Sequence, residues 1–437
     1  MRVTPIRVTL VRVTLLRVTP VRARTRRPDP PPGPPTSAET AMRTAVVVGA
    51  GVAGLAAAGA LARTGWQVTL LERGERLTAR TSALVLWPGG RRALEALDPD
   101  GGWSAIAMPL PDRGVRRPDG QWLVPPRTRP GADPALSVVL MEDLHDALMA
   151  GLGERVVIRT GVEVGTVRVG ARSRPVVGAG DLHLEADLVV AADGVDSAVR
   201  RALAPEAAVV PSGFAAWQAV VPGFRAPSLS EGAALGGEML GAGYRFVWLP
   251  LGEHVGGRGG VYWVATAAGA ARPESPATQL GLLQRWFAGW HAPVGSLLAA
   301  TRADDLIPQQ VRELRPLPRS SCFRSGPGGV VLLGDAAHAM PHHLGQGACL
   351  AFEDVATLLA LTAEASPGRQ LGEAIETYHR SRRPRTASMI RQTRRMSAVV
   401  QARGRLALRA RDAALQQLRP RLLGHAGDLA ADWHPPQ

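Results

Sequence analysis

Ala45-Val-Val-Val48-Gly49-Ala-Gly51-Val-Ala-Gly54 is the stretch that decides the fold. Its branched apolar residues read as a short buried strand, and three glycines follow in the spacing Gly-x-Gly-x-x-Gly. Leu55–Arg63 then reads as an Ala-rich helix ending at Gly65, and Gln67–Leu71 as a second strand closing on Glu72-Arg73. The glycines have separate jobs: a tight turn, close approach of backbone to a pyrophosphate, and close packing of helix on strand. The pyrophosphate would rest on the free N–H groups of the helix N-terminus. Glu72, at the end of the second strand, stands where a carboxylate accepts hydrogen bonds from ribose hydroxyls. A dinucleotide-binding unit is expected, and this motif alone leaves NAD and FAD open.

Two later segments narrow the choice. Asp187-Leu-Val-Val-Ala-Ala-Asp193-Gly194-Val-Asp196-Ser197 reads as a buried strand turning into a helix, with Asp196 or Ser197 as its N-cap. Val330-Val-Leu-Leu-Gly334-Asp335 reads as a buried strand ending on a carboxylate. A Pro/His loop follows, and Gly345-Gln346-Gly347 opens a helix whose N-terminus carries partial positive charge. Gly-x-Gly-x-x-Gly, Asp193-Gly194 and Gly334-Asp335, in that order, resemble the single-component class A flavoprotein monooxygenases of the aromatic-hydroxylase family. Leu86-Trp87-Pro88, Gly213–Trp217, Trp248–Pro250 and Tyr378–Arg385 extend the resemblance over about residues 43–390.

The resemblance implies an α/β fold: a discontinuous Rossmann-like FAD-binding domain, an inserted mixed or antiparallel β-sheet domain for substrate, and C-terminal helices. The expected boundaries are 42–212 and 322–395 for the FAD-binding domain, 213–321 for the substrate domain and 396–437 for a helical tail. By the same resemblance Gly49, Gly51, Ala53 and Gly54 hold the FAD pyrophosphate, and Glu72 and Arg73 lie at its adenosine side. Asp193 supports the cofactor, Val85 is a further cofactor contact, Asp335 meets the ribityl chain, and Gly345, Gln346, Gly347, Ala348 and Cys349 line the isoalloxazine edge. Reduced flavin is an anion, and a helix N-terminus at Gly347 would stabilise it. NADPH or NADH is implied as a transient cosubstrate, since no second glycine motif is present. Oxygen transfer from a flavin C4a-hydroperoxide to a small aromatic or polyene substrate is the implied reaction.

The chain also departs from the family pattern. Met141 stands where an arginine is frequent, so a flavin contact is either missing or supplied by Arg80 or Arg73. Trp217 is followed by Gln218 in place of arginine. Gly89 follows Trp-Pro where asparagine is usual. Cys349 resembles the urate-hydroxylase and zeaxanthin-epoxidase branch.

Residues 214–307 shift to alternating strands with aromatic residues. Trp217, Trp248 and Trp263 read as core. Arg245, inside an apolar strand, needs a partner; with Tyr262 it is a candidate substrate contact, by resemblance to urate hydroxylases. His342 or His343 is a candidate contact and base near neutral pH, while His338 reads as structural. The paired histidines lack a third ligand at metal spacing, so no metal is expected.

The 437 residues exceed one ordinary core, and the net charge is +14 with all basic residues arginine. Residues 2–21 repeat with period five, which matches neither helix nor strand, and a Pro-rich run follows. A signal peptide is excluded by the regular arginines. The favoured reading of 1–41 is a dispensable disordered extension with Met42 the working start; a basic arm for nucleic acid or anionic membrane is the alternative. No apolar run reaches the roughly 18 residues of a membrane span. Two cysteines, Cys322 and Cys349, offer no disulfide framework and fit a reducing cytoplasm. Ile390–Val400 and Leu406–Leu418 read as amphipathic helices packed on the cofactor domain. The expected partners are a small-molecule substrate and O2, without nucleic acid or membrane insertion. A flavin-dependent oxidoreductase or halogenase is the alternative enzyme, and the absence of lysine argues against a halogenase. A basic nucleic-acid or membrane module is the alternative outside enzymes.

Overall fold

The computed structural model describes residues 42–79, 81–98, 101–111, 113–126, 136–252, 259–269, 274–417 and 432–436. The expected extension 1–41 and Arg80 lie outside them.

A six-stranded sheet runs in the order Cys322–Ser325, Gly328–Leu332, Leu188–Ala191, Thr44–Val48, Gln67–Leu71, Val156–Arg159. Only the first pair is antiparallel. The central strands are buried on both faces, so they read as unbroken apolar runs rather than alternating ones. Helices Val52–Arg63, Pro88–Leu97 and Gly347–Thr362 cover one face through Leu55, Leu94 and Phe352. Val46, Val189 and Val330 face the other way, towards a layer that includes Val167 and Val177.

The register carries the functional consequence. Val48 pairs with Ala191, and Ala191 with Leu332. Three strands far apart in sequence therefore end at one level, and the loops Gly49–Gly54, Asp193–Ser197 and Gly334–Asp335 leave the sheet side by side. In open parallel sheets this carboxyl end is where ligands bind.

The second sheet has seven strands: Ile307–Leu314, Val209–Pro222, Gly260–Ala268, Tyr244–Pro250, Gly237–Leu240, Val115–Arg116 and Trp122–Val124. Its back face packs on helices Pro276–Trp286 and Val294–Ala300 through Trp217, Trp263, Leu283 and Leu297. Trp217, Trp248 and Trp263 lie in this core, with indole N–H groups donating to Gln279, the Ala233 carbonyl and Thr301. The front face packs through Val247, Leu249 and Tyr262 on Val138 and Leu140.

Local order crosses the expected divisions. Val209–Pro222 begins before residue 213, and the last two strands at one side of the sheet come from residues 115–124. Arg369–Val400 is one helix through 395, its Arg, Glu, Gln and Ala content favouring helix on both sides of Pro384. Arg405–Gln417 does not lie on the cofactor sheet as expected. Leu415 packs with Leu123 and Leu240 at the edge of the second sheet, and Arg411 donates to the Gly241 carbonyl at 2.6 Å. A helical pattern marks which face is apolar but not which neighbour covers it.

Candidate functional site

Gly49 and Gly54 do the structural jobs their spacing predicts, and Gly51 leaves open space beside the turn. Gly49 has φ 97°, and a Cβ there would lie 2.5 Å from the Ala192 carbonyl oxygen. A Cβ at Gly54 would lie 1.8 Å from the Gly49 carbonyl oxygen. At Gly51 a Cβ would meet nothing within 4 Å, so backbone faces open space at the helix N-terminus. Glu72 accepts from Ala50 N–H at 2.8 Å and Gly74 N–H at 2.9 Å, fixing the turn from the neighbouring strand. Arg73 is exposed. His145, which sequence reasoning missed, places Nε2 3.2 Å from the Ala50 carbonyl.

Asp193 Oδ2 accepts from Ala198 N–H at 2.8 Å and Val199 N–H at 3.3 Å, while its buried Oδ1 has no partner. Of the two candidate caps it is Ser197 that serves, accepting from Arg200 N–H at 2.9 Å. The buried Arg200, also missed, donates to the carbonyls of Val195 and Ala336 at 2.5 and 3.2 Å. It thereby ties the Asp-Gly loop to the Gly-Asp turn. Asp335 has an accessible side chain, yet surrounding protein pushes its carboxyl pKa up, with His338 and Arg200 pulling back. Accessibility within dense surroundings marks a residue lining a cleft.

The Gly-Asp turn is held from behind. Gly334 has φ 57°, and its N–H donates to Asp354 Oδ2 at 3.0 Å. His338 Nε2 donates to the same oxygen at 2.5 Å, and Arg382 Nε to Oδ1 at 2.7 Å. Arg382 and Arg385 also grip Glu353. Sequence reading quoted Asp354 and Tyr378–Arg385 without seeing that they meet.

Gly345 is left-handed with φ 64°, and helix Gly347–Thr362 follows as predicted. Gln346 is buried with both amide atoms unpartnered among the described residues, and a Cβ at Gly347 would meet open space. Val85 and Ala348 are half-buried beside this turn. Cys349 is a correction to the expected flavin-edge set, because its side chain is fully buried. Its S–H donates to the Val85 carbonyl and its sulfur accepts from Trp87 N–H, both at 3.4 Å. Burial pushes the thiol up to about 12, and the sulfur would lie 2.6 Å from a Cβ at Gly90. The residue joins two helices at close range and turns its thiol away from any ligand.

The front face of the second sheet stands in rows set by its register. Val220, Tyr262 and Leu249 form one, then Gln218, Val264, Val247 and Glu238, then Ala216, Thr266 and Arg245. Arg245 and Tyr262 thus share this face, about 13 Å apart along the strands. Arg245 has the partners its burial requires: Glu238 at 2.8 Å and His343 Nδ1 at 3.3 Å. His343 stacks on Phe214 at 4.2 Å. Tyr262 O–H donates to Gln218 Oε1 at 2.8 Å, and burial pushes its pKa up to about 12.

The histidines do not act as expected. Burial, then the Arg245 charge, pulls His342 down to about 4 and His343 well below 6.5. Both imidazoles are neutral throughout the physiological range, so neither is a base poised near pH 7. A folded-state pKa below the unfolded value means that the unfolded chain binds more protons. Stability is therefore complete above about pH 6.5 and falls as pH drops towards 4. Denaturant unfolding of His342→Gln is expected to show a flatter decline between pH 7 and 5 than wild type; an equal decline would remove His342 as its source.

The FAD binding domain family matches residues 156–393, and an FAD dependent oxidoreductase family matches residues 44–98. The chain belongs to the FAD-dependent monooxygenase family. The aurachin C monooxygenase/isomerase of Stigmatella aurantiaca is 30% identical to this monooxygenase over 330 residues, covering 74% of this chain and 82% of that protein. The 2-heptyl-3-hydroxy-4(1H)-quinolone synthase of Pseudomonas aeruginosa is 33% identical over 325 residues, covering 73% and 80%. In fold the monooxygenase resembles the crystal structure of Klebsiella pneumoniae HpxO complexed with FAD and uric acid. That likeness has a TM-score of 0.73 and 22% identity, covering 90% of this chain and 97% of that one. The residues of the monooxygenase fit FAD: there is open space at Gly51 and Gly347, the Gln346 amide has no partner among the described residues, and Asp335 is accessible at the end of its strand.

Proposed function

We propose that this monooxygenase takes electrons from NADPH or NADH and uses O2 to hydroxylate a small electron-rich aromatic, with epoxidation of a polyene as the alternative reaction at the same site. What carries this reading is the meeting of the Gly49–Gly54 turn, Asp193 and Asp335 at one sheet end, beside the Gly347 helix N-terminus. Gly49, Gly51, Ala53 and Gly54 hold the pyrophosphate; Glu72 and Arg73 serve the adenosine, and Asp193 braces the loop beside it. Asp335 binds the ribityl chain, and Val85, Gly345, Gln346, Gly347 and Ala348 enclose the flavin ring. Bound FAD supplies the redox chemistry and the activated oxygen.

The chain's own part is positioning and electrostatics. The N-terminus of Gly347–Thr362 stabilises negative charge on a ligand against it, without reorganisation. The apolar front face, with Val247, Leu249 and Val264, excludes water from the reacting centre. Relatives named for aurachin C and for a quinolone support an aromatic substrate. Its partners are small molecules rather than nucleic acid. Two unpaired cysteines favour a reducing cytoplasm, and among the described residues no helix is long and apolar enough to cross a membrane.

Purified protein is expected to be yellow and to oxidise NADPH or NADH faster when substrate is added, giving a product heavier by one oxygen. Protein that takes up no FAD would overturn this reading. Oxidation without oxygen incorporation would replace it with a simple oxidoreductase.

A further inference from the structure

We propose that Gln218 selects the substrate: its side-chain NH2 donates to a ring carbonyl oxygen of an uncharged oxo-heteroaromatic, and the cleft disfavours carboxylate-bearing aromatics. The proposal deepens the monooxygenase reading and rests on it.

The first argument is orientation. Tyr262 O–H and Ser82 O–H both donate to Gln218 Oε1, at 2.8 and 3.2 Å. With Oε1 placed between the two hydroxyls, the NH2 arm points elsewhere, since a glutamine amide carries its donor and its acceptor on opposite arms. The NH2 arm is turned away from both hydroxyls. No hydrogen bond from it to the described residues is present, and it is not among the occluded atoms. Gln218 is half-buried in a row with Val264, also half-buried, on the face turned towards the cofactor end. Its two N–H donors are therefore open to a ligand that reaches this half-buried row.

The second argument is charge. The charged side chains in the central rows are Arg245 and Glu238, and they neutralise one another at 2.8 Å. His342 and His343 carry no charge at neutral pH. Tyr262 is a neutral phenol and Gln218 a neutral amide. Among the described residues of these rows a carboxylate would find no unpaired cation to replace its lost hydration, which is costly in an apolar setting. A neutral carbonyl needs only the donor that Gln218 offers, and apolar Val220, Val247 and Val264 suit the rest of a ring.

Calorimetric titration of the FAD-loaded enzyme with 4(1H)-quinolone and with 4-hydroxybenzoate tests this. Wild type is expected to bind the quinolone at least about tenfold more tightly, the scale of one net hydrogen bond. Gln218→Glu keeps an acceptor for Tyr262 and Ser82 but removes the NH2, and should weaken quinolone binding about tenfold or more. Gln218→Leu removes the amide without adding charge and gives the same readout where Gln218→Glu does not accumulate. Gln218→Arg should bring 4-hydroxybenzoate binding up by a similar factor. Unchanged quinolone affinity in the Glu and Leu variants overturns the assignment, as does no quinolone binding by FAD-replete wild type or a preference for 4-hydroxybenzoate. The flavin absorbance of each protein separates the two levels. Wild type that holds no FAD overturns the monooxygenase reading itself, whereas FAD-replete protein with the wrong ligand order overturns only the role of Gln218.

Discussion

Gly54→Ala is expected to give protein without FAD and with a clearly lowered unfolding midpoint. In an ordinary helix interior the change would help by about 0.5–1 kcal/mol, because alanine loses less backbone entropy on folding. Here the new Cβ would sit 1.8 Å from the Gly49 carbonyl oxygen, with the Ala192 side chain at 3.4 Å behind it. Neither obstacle is the end of a flexible side chain, so no rotamer change relieves the clash. Helix Val52–Arg63 has to move off the turn, at the ~1–3 kcal/mol or more of overpacking. The turn opens at the proposed pyrophosphate site. Gly51→Ala is the contrasting variant. Gly51 has φ −69° and ψ 174°, which any residue adopts, and its Cβ would meet nothing within 4 Å. That protein should keep the thermal midpoint of the FAD-free wild type yet take up FAD at least about tenfold more weakly, because the methyl occupies room the ligand needs. Flavin-to-protein absorbance and thermal unfolding measured together read both effects. A Gly54→Ala protein with full flavin content and wild-type stability would show that the turn is not built as described.

Asp354→Ala is expected to cost about 3–5 kcal/mol and to release FAD, because it strands a buried Arg382 that Glu353 alone then faces. The same change removes the acceptor for Gly334 N–H, and with it the support of the turn presenting Asp335. Asp354→Asn keeps the shape and one acceptor, and should fall between wild type and alanine. Denaturant unfolding measures the loss, and FAD retention during dilution measures the loosened turn. Burial alone would raise the Asp354 pKa, but His338 and Arg382 outweigh it and hold the carboxyl below its ordinary value. With the folded value depressed, this stabilisation is present above the unfolded pKa of about 3.9 and lost as pH falls through the lower folded value. The Asp354→Ala cost should therefore be constant from pH 5 to 8. A cost that vanished within that range would place the ionisation elsewhere.

Much of the cofactor end was legible in the chain. The strand, glycine turn, helix and second strand at 44–71 follow from local spacing and steric rules, and each glycine role needs only its own neighbourhood. The helix opening at Gly347 and the cap at Ser197 are local too. Arg245 was legible as a charge that needed a partner, though not which one. Glu238 is seven residues away in the chain, but His343 comes from a loop almost a hundred residues later. Cys349 was misread because a motif places a residue at a helix start without saying which way its side chain turns. Its buried direction follows from the close approach of Gly90 on another helix. The histidines misled for a similar reason, since burial and the Arg245 charge set their pKa values and neither is written in the local sequence.

By itself, then, the sequence determined the α/β class, the glycine turn and the order of the three loops that follow its buried strands. These depend on short-range backbone geometry and on apolar periodicity, which adjacent residues encode. Only the tertiary structure decided that the three strands end at one level, that Arg200 and Asp354 brace the loops, and that Gln218 Oε1 meets Tyr262 and Ser82. Those facts arise from register and from contacts between distant segments, where burial and electrostatics act through space rather than along the chain.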